Sequence, residues 1–436
     1  MRRPPLRRFA WLAASVWAAC AGPAAAAAPP AVTVAAPQGG PSAGRDARQE
    51  VLVLVRLPPA HYRPGADYIG GYADDLSRKT QRQLAERIAR AHKLTLVDDW
   101  PMPLLGLDCF VMAAPGGPKE AAQAAAALAR DPAVAWTEPM HLYHAEGQPA
   151  AASPARGDPL FAAQPAAREW RLADLHKTAT GRRVPVAVID SQVETDHPDL
   201  QGQIAAKADF TPQPSSSGER HGTGVAGVIA AKENNGLGVA GVAPGARLLA
   251  LRACWEAGAG QGTVCDSVSL AKALHFAIER RVQVINLSLA GPPDMLLGKL
   301  LDVALARGAT VVAAFDPHLP QGGFPASHKG VVRVADESLA SVQPGVYSAP
   351  GQDVPTTQPG GRWSLVDGSS YAAAHVSGLM ALLRERARAS DGALTLVSTR
   401  PGGGSIDACA SLLGQARACP RQALASKALG VAGMAR

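Results

Sequence analysis

The sequence predicts an α/β protein with a mainly parallel central sheet, preceded by a smaller α+β unit. Two observations carry this. From about residue 160 onward, short and almost wholly apolar runs alternate with helical stretches: VPVAVID (184–190), ARLLALRA (246–253), VQVINLSLA (282–290) and ATVVAAF (309–315). A strand without polar alternation is buried on both faces, which is the condition of a parallel sheet with helices above and below it. Between residues 50 and 146 the order is instead strand, helix, strand, strand, helix, strand.

Each element has its own signal. EVLVLVRL is a strand by its Val and Leu content. YADDLSRKTQRQLAERIARAHKL carries Leu76, Leu84, Ile88 and Ala91 at helical spacing. LTLVDDW and LGLDCFVMAA read as two more strands, KEAAQAAAALARD as a second helix and AVAWTEP as a last strand. The resulting βαββαβ order is that of a ferredoxin-like unit. EGQPAAASPARGDP (146–159) is rich in Ala, Pro and Gly and reads as an exposed linker. In the larger domain DSVSLAKALHFAIERR is a helix between strands, and the segment 391–436 opens Gly/Thr/Ser-rich and ends in an alanine-rich, helix-like stretch.

With 436 residues, 47% of them hydrophobic and 18% charged, the chain is globular rather than disordered and long enough for two or three domains. The net charge of +7 includes Arg2, Arg3, Arg7 and Arg8 of a leader. No Lys/Arg stripe interleaves with aromatics, which excludes nucleic acid as the expected partner. MRRPPLRRFAWLAASVWAACAGPAAAAAPP has a basic head, an apolar stretch and A-x-A-like sites near Ala24 to Ala28, the layout of a cleaved export signal. Secretion or delivery to the periplasm is therefore expected. The Gly22-Pro23 break and weakly apolar alanines argue against an anchor, Trp17 argues against lipid attachment at Cys20, and no later stretch reads as a membrane span. Of the six cysteines, Cys254 with Cys265 and Cys409 with Cys419 form close pairs. In an exported chain these read as two local disulfides, with reduced buried thiols as the alternative.

Three segments carry chemistry. VPVAVID ends a buried strand on Asp190, HGTGVAGVIAA opens a helix with His221, and VDGSSYAAAHVSGLMALL opens another with Ser369 and Ser370. Taken singly, these are a turn, a helix start and a Ser N-cap. Taken together they supply a hydroxyl, a base and a carboxylate at strand ends and helix starts that share one rim of a parallel sheet, where sites form. The G-S-S-Y-A sequence is not G-x-S-x-G and disfavours an α/β-hydrolase elbow.

The motifs DSQVETDHPDL, HGTGVAGVIAAKENNGLGVAGVAPGARLLALRA, VINLSLAGP and DGSSYAAAHVSGLMALL resemble the subtilisin-like serine proteases across residues 185 to 385. The resemblance implies a three-layer fold and a serine endopeptidase acting through an acyl-enzyme. Ser370 would be the nucleophile, His221 the general base, and Asp190 the residue that orients it. It implies that the βαββαβ unit is an inhibitory propeptide, so that the chain reads as 1–28 signal peptide, 29–49 disordered linker, 50–146 propeptide, 147–160 linker with the maturation site, 161–390 catalytic domain and 391–436 extension. The propeptide tail, near His141 to Gly147, would lie in the cleft and be cut there by the enzyme itself. Ser288, Leu289, Ala290 and Gly291 resemble the edge strand that pairs with substrate backbone. Ala290 stands where a glycine is usual. KENNGLGVAG resembles a calcium loop, with side-chain ligands Asp199 and Asn235 and backbone ligands Leu237 and Val239. No cofactor is required for the chemistry, and calcium would be structural. The expected partners are polypeptide substrates and the protein's own propeptide, on a monomer.

One position departs sharply. Asp316 falls on the asparagine whose amide stabilises the oxyanion beside the Ser370 N–H, and Phe315 falls on the preceding glycine, at the S1 pocket. An ionised carboxylate only accepts hydrogen bonds, whereas a protonated one donates. A working endopeptidase and a catalytically impaired, peptide-binding relative are the two function classes that follow, and the whole Asp190, His221, Ser370 set favours the first.

Overall fold

The computed structural model describes residues 32–33, 49–57, 70–145, 148–150, 158–214, 218–257, 262–339, 343–390 and 394–414. The expected export leader, the rest of the 29–49 segment and the alanine-rich tail lie outside these.

The larger unit is built on a ten-stranded sheet, ordered Val32–Thr33, Ile204–Asp209, Arg247–Arg252, Pro185–Asp190, Val284–Leu287, Thr310–Ala314, Val332–Asp336, Val346–Ala349, Gly403–Ile406, Ser398–Arg400. The pairings are parallel except for the last. Consecutive strand residues feed opposite cores, which is why these runs show no polar alternation. Val186, Val188, Leu248, Val284 and Val312 pack with helices Arg220–Ala230 and Ser369–Ser390. Ala187, Ile189, Leu249, Ile285 and Val311 pack with helices Ser267–Glu279 and Met295–Ala306. Burying each such aliphatic side chain stabilises the fold by roughly 1.5–3 kcal/mol. The run 282–290 is not one strand: it breaks at Ser288, and Leu289–Ala290 joins a second, smaller sheet.

The smaller unit has sheet order Thr95–Met102, Leu107–Ala113, Glu50–Arg56, Val134–Pro139, fully antiparallel, with helices Gly70–Ala91 and Pro118–Leu128. This is the expected βαββαβ arrangement. Val51, Val53, Phe110 and Met112 face those two helices. Leu52, Leu54, Cys109 and Val111 face the core that includes helices Ser267–Glu279 and Met295–Ala306. EVLVLVR is therefore apolar throughout because both its faces are covered. The buried stripe of the first helix runs Gln81, Ala85, Ile88, Ala89, and Ala91 is exposed.

Two sequence expectations need correcting. Within the supposed exposed linker, Gln148–Ala150 is an edge strand paired with Arg362–Asp367. The segment from 391 is not simply appended: Gly403–Ile406 extends the central sheet, and Ile406, Ala408 and Leu412 lie in the main core. Cys254 and Cys265 form a disulfide across the Cys254–Glu256/Thr263–Asp266 hairpin. Cys409 is also disulfide-bonded, Cys419 of the expected Cys409–Cys419 pair lies outside the described residues, and Cys109 is a free buried thiol. Among the described residues no helix is long and apolar enough to cross a membrane.

Candidate active site

Three elements converge on one rim. Asp190 ends the strand Pro185–Asp190, at the centre of the sheet. His221 lies in the first turn of Arg220–Ala230 and Ser370 in the first turn of Ser369–Ser390. Asp190, His221 and Ser370 are buried to 2%, 6% and 0% exposure. His221 Nδ1 lies 2.7 Å from Asp190 Oδ1. A carboxylate only accepts, so this contact places the imidazole proton on Nδ1 and leaves the Nε2 lone pair free for a base's work. Nε2 is buried and makes no hydrogen bond among the described residues. Glu219, at the start of the histidine helix, ties the two supports together: its Oε2 accepts the Gln192 N–H at 2.6 Å and its own N–H donates to the Gln192 carbonyl at 2.7 Å. The nearly buried Arg252 holds Glu219 from the other side.

Ser370 points elsewhere. Its hydroxyl donates to the Ser288 carbonyl at 2.9 Å, and the Ser288 hydroxyl donates back to the Ser370 carbonyl at 2.8 Å. Asn286 Nδ2 donates to Ser288 Oγ and Ser377 Oγ to Asn286 Oδ1. This buried chain of side chains anchors the serine helix to the strand end.

A segment of the chain itself pairs with the expected substrate edge. Leu142–Ala145 is sandwiched antiparallel between Thr263–Asp266 and Leu289–Ala290, with Ala145 opposite Leu289 and His144 opposite Ala290. Three residues on, Gln148 pairs with Asp367, just before the serine helix. Of the expected substrate-edge residues, Leu289 and Ala290 pair with this segment, Ser288 holds Ser370, and Gly291 pairs with Phe324. Phe315 packs with Ala335 and Val346 and against Gly322, while Leu319 rather than Phe315 stands beside Ala290 at Gly323. Asp316 is buried, and its Oδ1 accepts the His318 N–H at 2.8 Å. It sits as an acceptor in its own turn.

Of the four expected calcium ligands, the Asp199 and Asn235 side chains come together and bond each other and nearby N–H groups. Asp199 Oδ1 accepts Asn235 Nδ2 at 2.7 Å; its Oδ2 accepts the Val239 N–H at 3.0 Å and the Trp363 indole N–H at 2.7 Å. Asn235 Oδ1 accepts the Leu237 N–H. The Asp158 carboxylate accepts the N–H groups of Asn234 and Gly236. Gly238, at φ 32°, permits this closure, because a Cβ there would stand 1.8 Å from the indole nitrogen. Calcium takes oxygen ligands, and the side-chain oxygens of Asp199 and Asn235 are here engaged by N–H donors. Sequence reasoning missed Trp363 and Asp158, which lie far along the chain and carry no local signal for this role.

A parallel sheet whose rim holds an imidazole–carboxylate pair and a serine at a helix start has the groups of a serine hydrolase, and the relatives make it a serine-type endopeptidase. A family model described as the subtilase family matches residues 181–399. The chain is 35% identical over 231 residues to the intracellular serine protease of Paenibacillus polymyxa, covering 48% of this chain and 69% of that one. It is 33% identical over 275 residues to subtilisin E of Bacillus subtilis strain 168, covering 59% and 66%. It thus spans about two thirds of the length of these curated relatives. The crystal structure of fervidolysin from Fervidobacterium pennivorans, a keratinolytic enzyme related to subtilisin, shares the fold, with a TM-score of 0.57 at 23% identity over 82% of this chain and 56% of that one. The chain belongs to the subtilase family.

Proposed function

We propose that the protein is an exported, monomeric serine endopeptidase, made as a zymogen that cuts its own chain, with Asp190, His221 and Ser370 as the reacting set. The observation that carries this reading is the seating of Leu142–Ala145 and Gln148–Ala150 on either side of the rim that holds Ser370. Residues 50–146 are then the inhibitory propeptide, 1–28 the export signal, and cleavage falls between Ala145 and Gln148.

In this mechanism Ser370 rotates off the Ser288 carbonyl toward His221 Nε2. Its oxygen attacks the scissile carbonyl carbon as its proton passes to Nε2, while Asp190 holds Nδ1–H and stabilises the imidazolium. His221 then gives the proton to the leaving amine, leaving an ester on Ser370. Water, deprotonated by His221, hydrolyses that ester and restores the hydroxyl. The Ser370 N–H, at a helix start, supports the oxyanion. Asp316 joins it only as the protonated acid, and Phe315 acts behind the S1 wall. No cofactor enters these steps. The loop of Asp199, Asn235, Leu237 and Val239 is held by hydrogen bonds rather than calcium.

The test is labelling of secreted protein with a fluorophosphonate, alongside Ser370→Ala expressed without other proteases. An adduct on Ser370, and a variant still joined through 145–148, are expected. No adduct on the processed protein would leave a peptide-binding relative, and normal processing of the variant would remove self-cleavage.

A further inference from the structure

We infer that Asp294 makes this site selective for tyrosine at one position of its polypeptide substrates, the position held in the structure by Tyr143. The inference rests on the endopeptidase reading and adds to it a substrate class.

Tyr143 is fully buried and heads the largest such side chains of the molecule. It lies on the strand Leu142–Ala145, whose backbone pairs on both sides as an extended substrate's would. Its ring rests on Gly291, where a Cβ would stand 2.3 Å from Cδ1, so only glycine admits an aromatic ring there. Phe324 tilts toward the same ring at 6.4 Å between centroids. The phenol O–H donates to Asp294 Oδ2 at 3.1 Å. Asp294 is itself held in place: it caps the helix Met295–Ala306 by accepting the Leu297 N–H at 2.8 Å, and it accepts the Ser267 hydroxyl at 2.6 Å. Gly291, Phe324, Asp294 and Ser267 all belong to the larger unit, so the pocket stays with the enzyme when the 142–145 segment departs.

The pocket combines two demands. The glycine floor and aromatic wall call for a flat ring, and the buried carboxylate calls for a donor at the ring's far end. Burial, and then the charge of Asp294, hold the phenol proton far above the ordinary tyrosine range, so it remains a donor. Phenylalanine fills the same volume but leaves a desolvated carboxylate short of one partner. A site built to hydrogen-bond a hydroxyl discriminates strongly against the analogue lacking it.

The experiment uses the secreted, processed protein and three substrates: denatured casein, the peptide HLYHAEGQPA that copies residues 141–150, and the same peptide with Phe for Tyr. Selectivity is read as the ratio of kcat/KM for the two peptides. A hydrogen bond to a charged partner corresponds to a preference of about tenfold or more for tyrosine. Asp294→Ser, which retains a helix-capping hydroxyl but withdraws the carboxylate, should bring the ratio close to one. Equal rates on the two peptides in the unmodified enzyme overturn the inference, as does a tyrosine preference unchanged in Asp294→Ser. So does casein hydrolysis without cleavage of either peptide. Failure to hydrolyse casein at all overturns the endopeptidase reading, and the inference with it.

Discussion

The Ser370 hydroxyl donates to the Ser288 carbonyl at 2.9 Å while the Ser288 hydroxyl donates to the Ser370 carbonyl at 2.8 Å. The two serines thus clasp each other across a long loop of chain, and the clasp fixes where the serine helix begins. Removing the Ser288 hydroxyl deletes one bond to the Ser370 carbonyl and the acceptor of the buried Asn286 amide. Ser288→Ala should lower unfolding stability by about 1–3 kcal/mol in a denaturant titration. It should also reduce kcat more than it changes KM, because the displaced group is the backbone of the proposed nucleophile.

Asp316 occupies the sequence position expected for an oxyanion amide, and its carboxylate accepts the His318 N–H. Asn keeps that acceptor in its Oδ1 and adds an NH2. Losing such a donor typically costs on the order of 10²–10³ in kcat, so Asp316→Asn should raise kcat, by up to about 10². Turnover under saturating peptide checks this. An unchanged kcat would show that position 316 does not face the oxyanion.

The loop around Asp199 predicts indifference to chelators. With the Trp363, Asn235 and Val239 donors on its carboxylate, chelation and added calcium should leave the thermal midpoint unshifted. Trp363→Phe, which removes one N–H from a buried carboxylate, should cost about 1–3 kcal/mol. In that variant calcium should begin to stabilise.

A pH dependence follows from Glu138. It reaches from the smaller unit to accept the Met295 and Leu296 N–H groups at a helix start, with Asp294 and His141 close by. Burial first, and then the charge of Asp294, push the Glu138 carboxyl up to about 7. Its proton is therefore held more tightly in the docked state than in water. The docking contribution is complete below the ordinary glutamate range and is lost as pH rises through about 7, with a limiting slope of about tenfold per pH unit. In the unprocessed Ser370→Ala protein, thermal stability should fall between about pH 4.5 and about pH 7. Glu138→Gln should flatten that fall, and a profile unaltered by the substitution would exclude Glu138 as its source.

Both architectures were legible in the sequence because burial on two faces leaves a direct mark: EVLVLVR and VPVAVID have no polar alternation. The rim residues were legible because a parallel sheet delivers its strand ends and helix starts to one edge, which is where Asp190, His221 and Ser370 lie. What the sequence determined by itself was which residue types stand at that edge. Only the tertiary structure decided which atom faces which. It turned the Ser370 hydroxyl to Ser288 rather than His221, set Trp363 on Asp199, seated Tyr143 on Asp294, and drew Gln148–Ala150 out of a supposed linker into a sheet. These are pairings of short-range, directional donors and acceptors between residues tens to hundreds of positions apart, and a linear pattern holds no record of such distances.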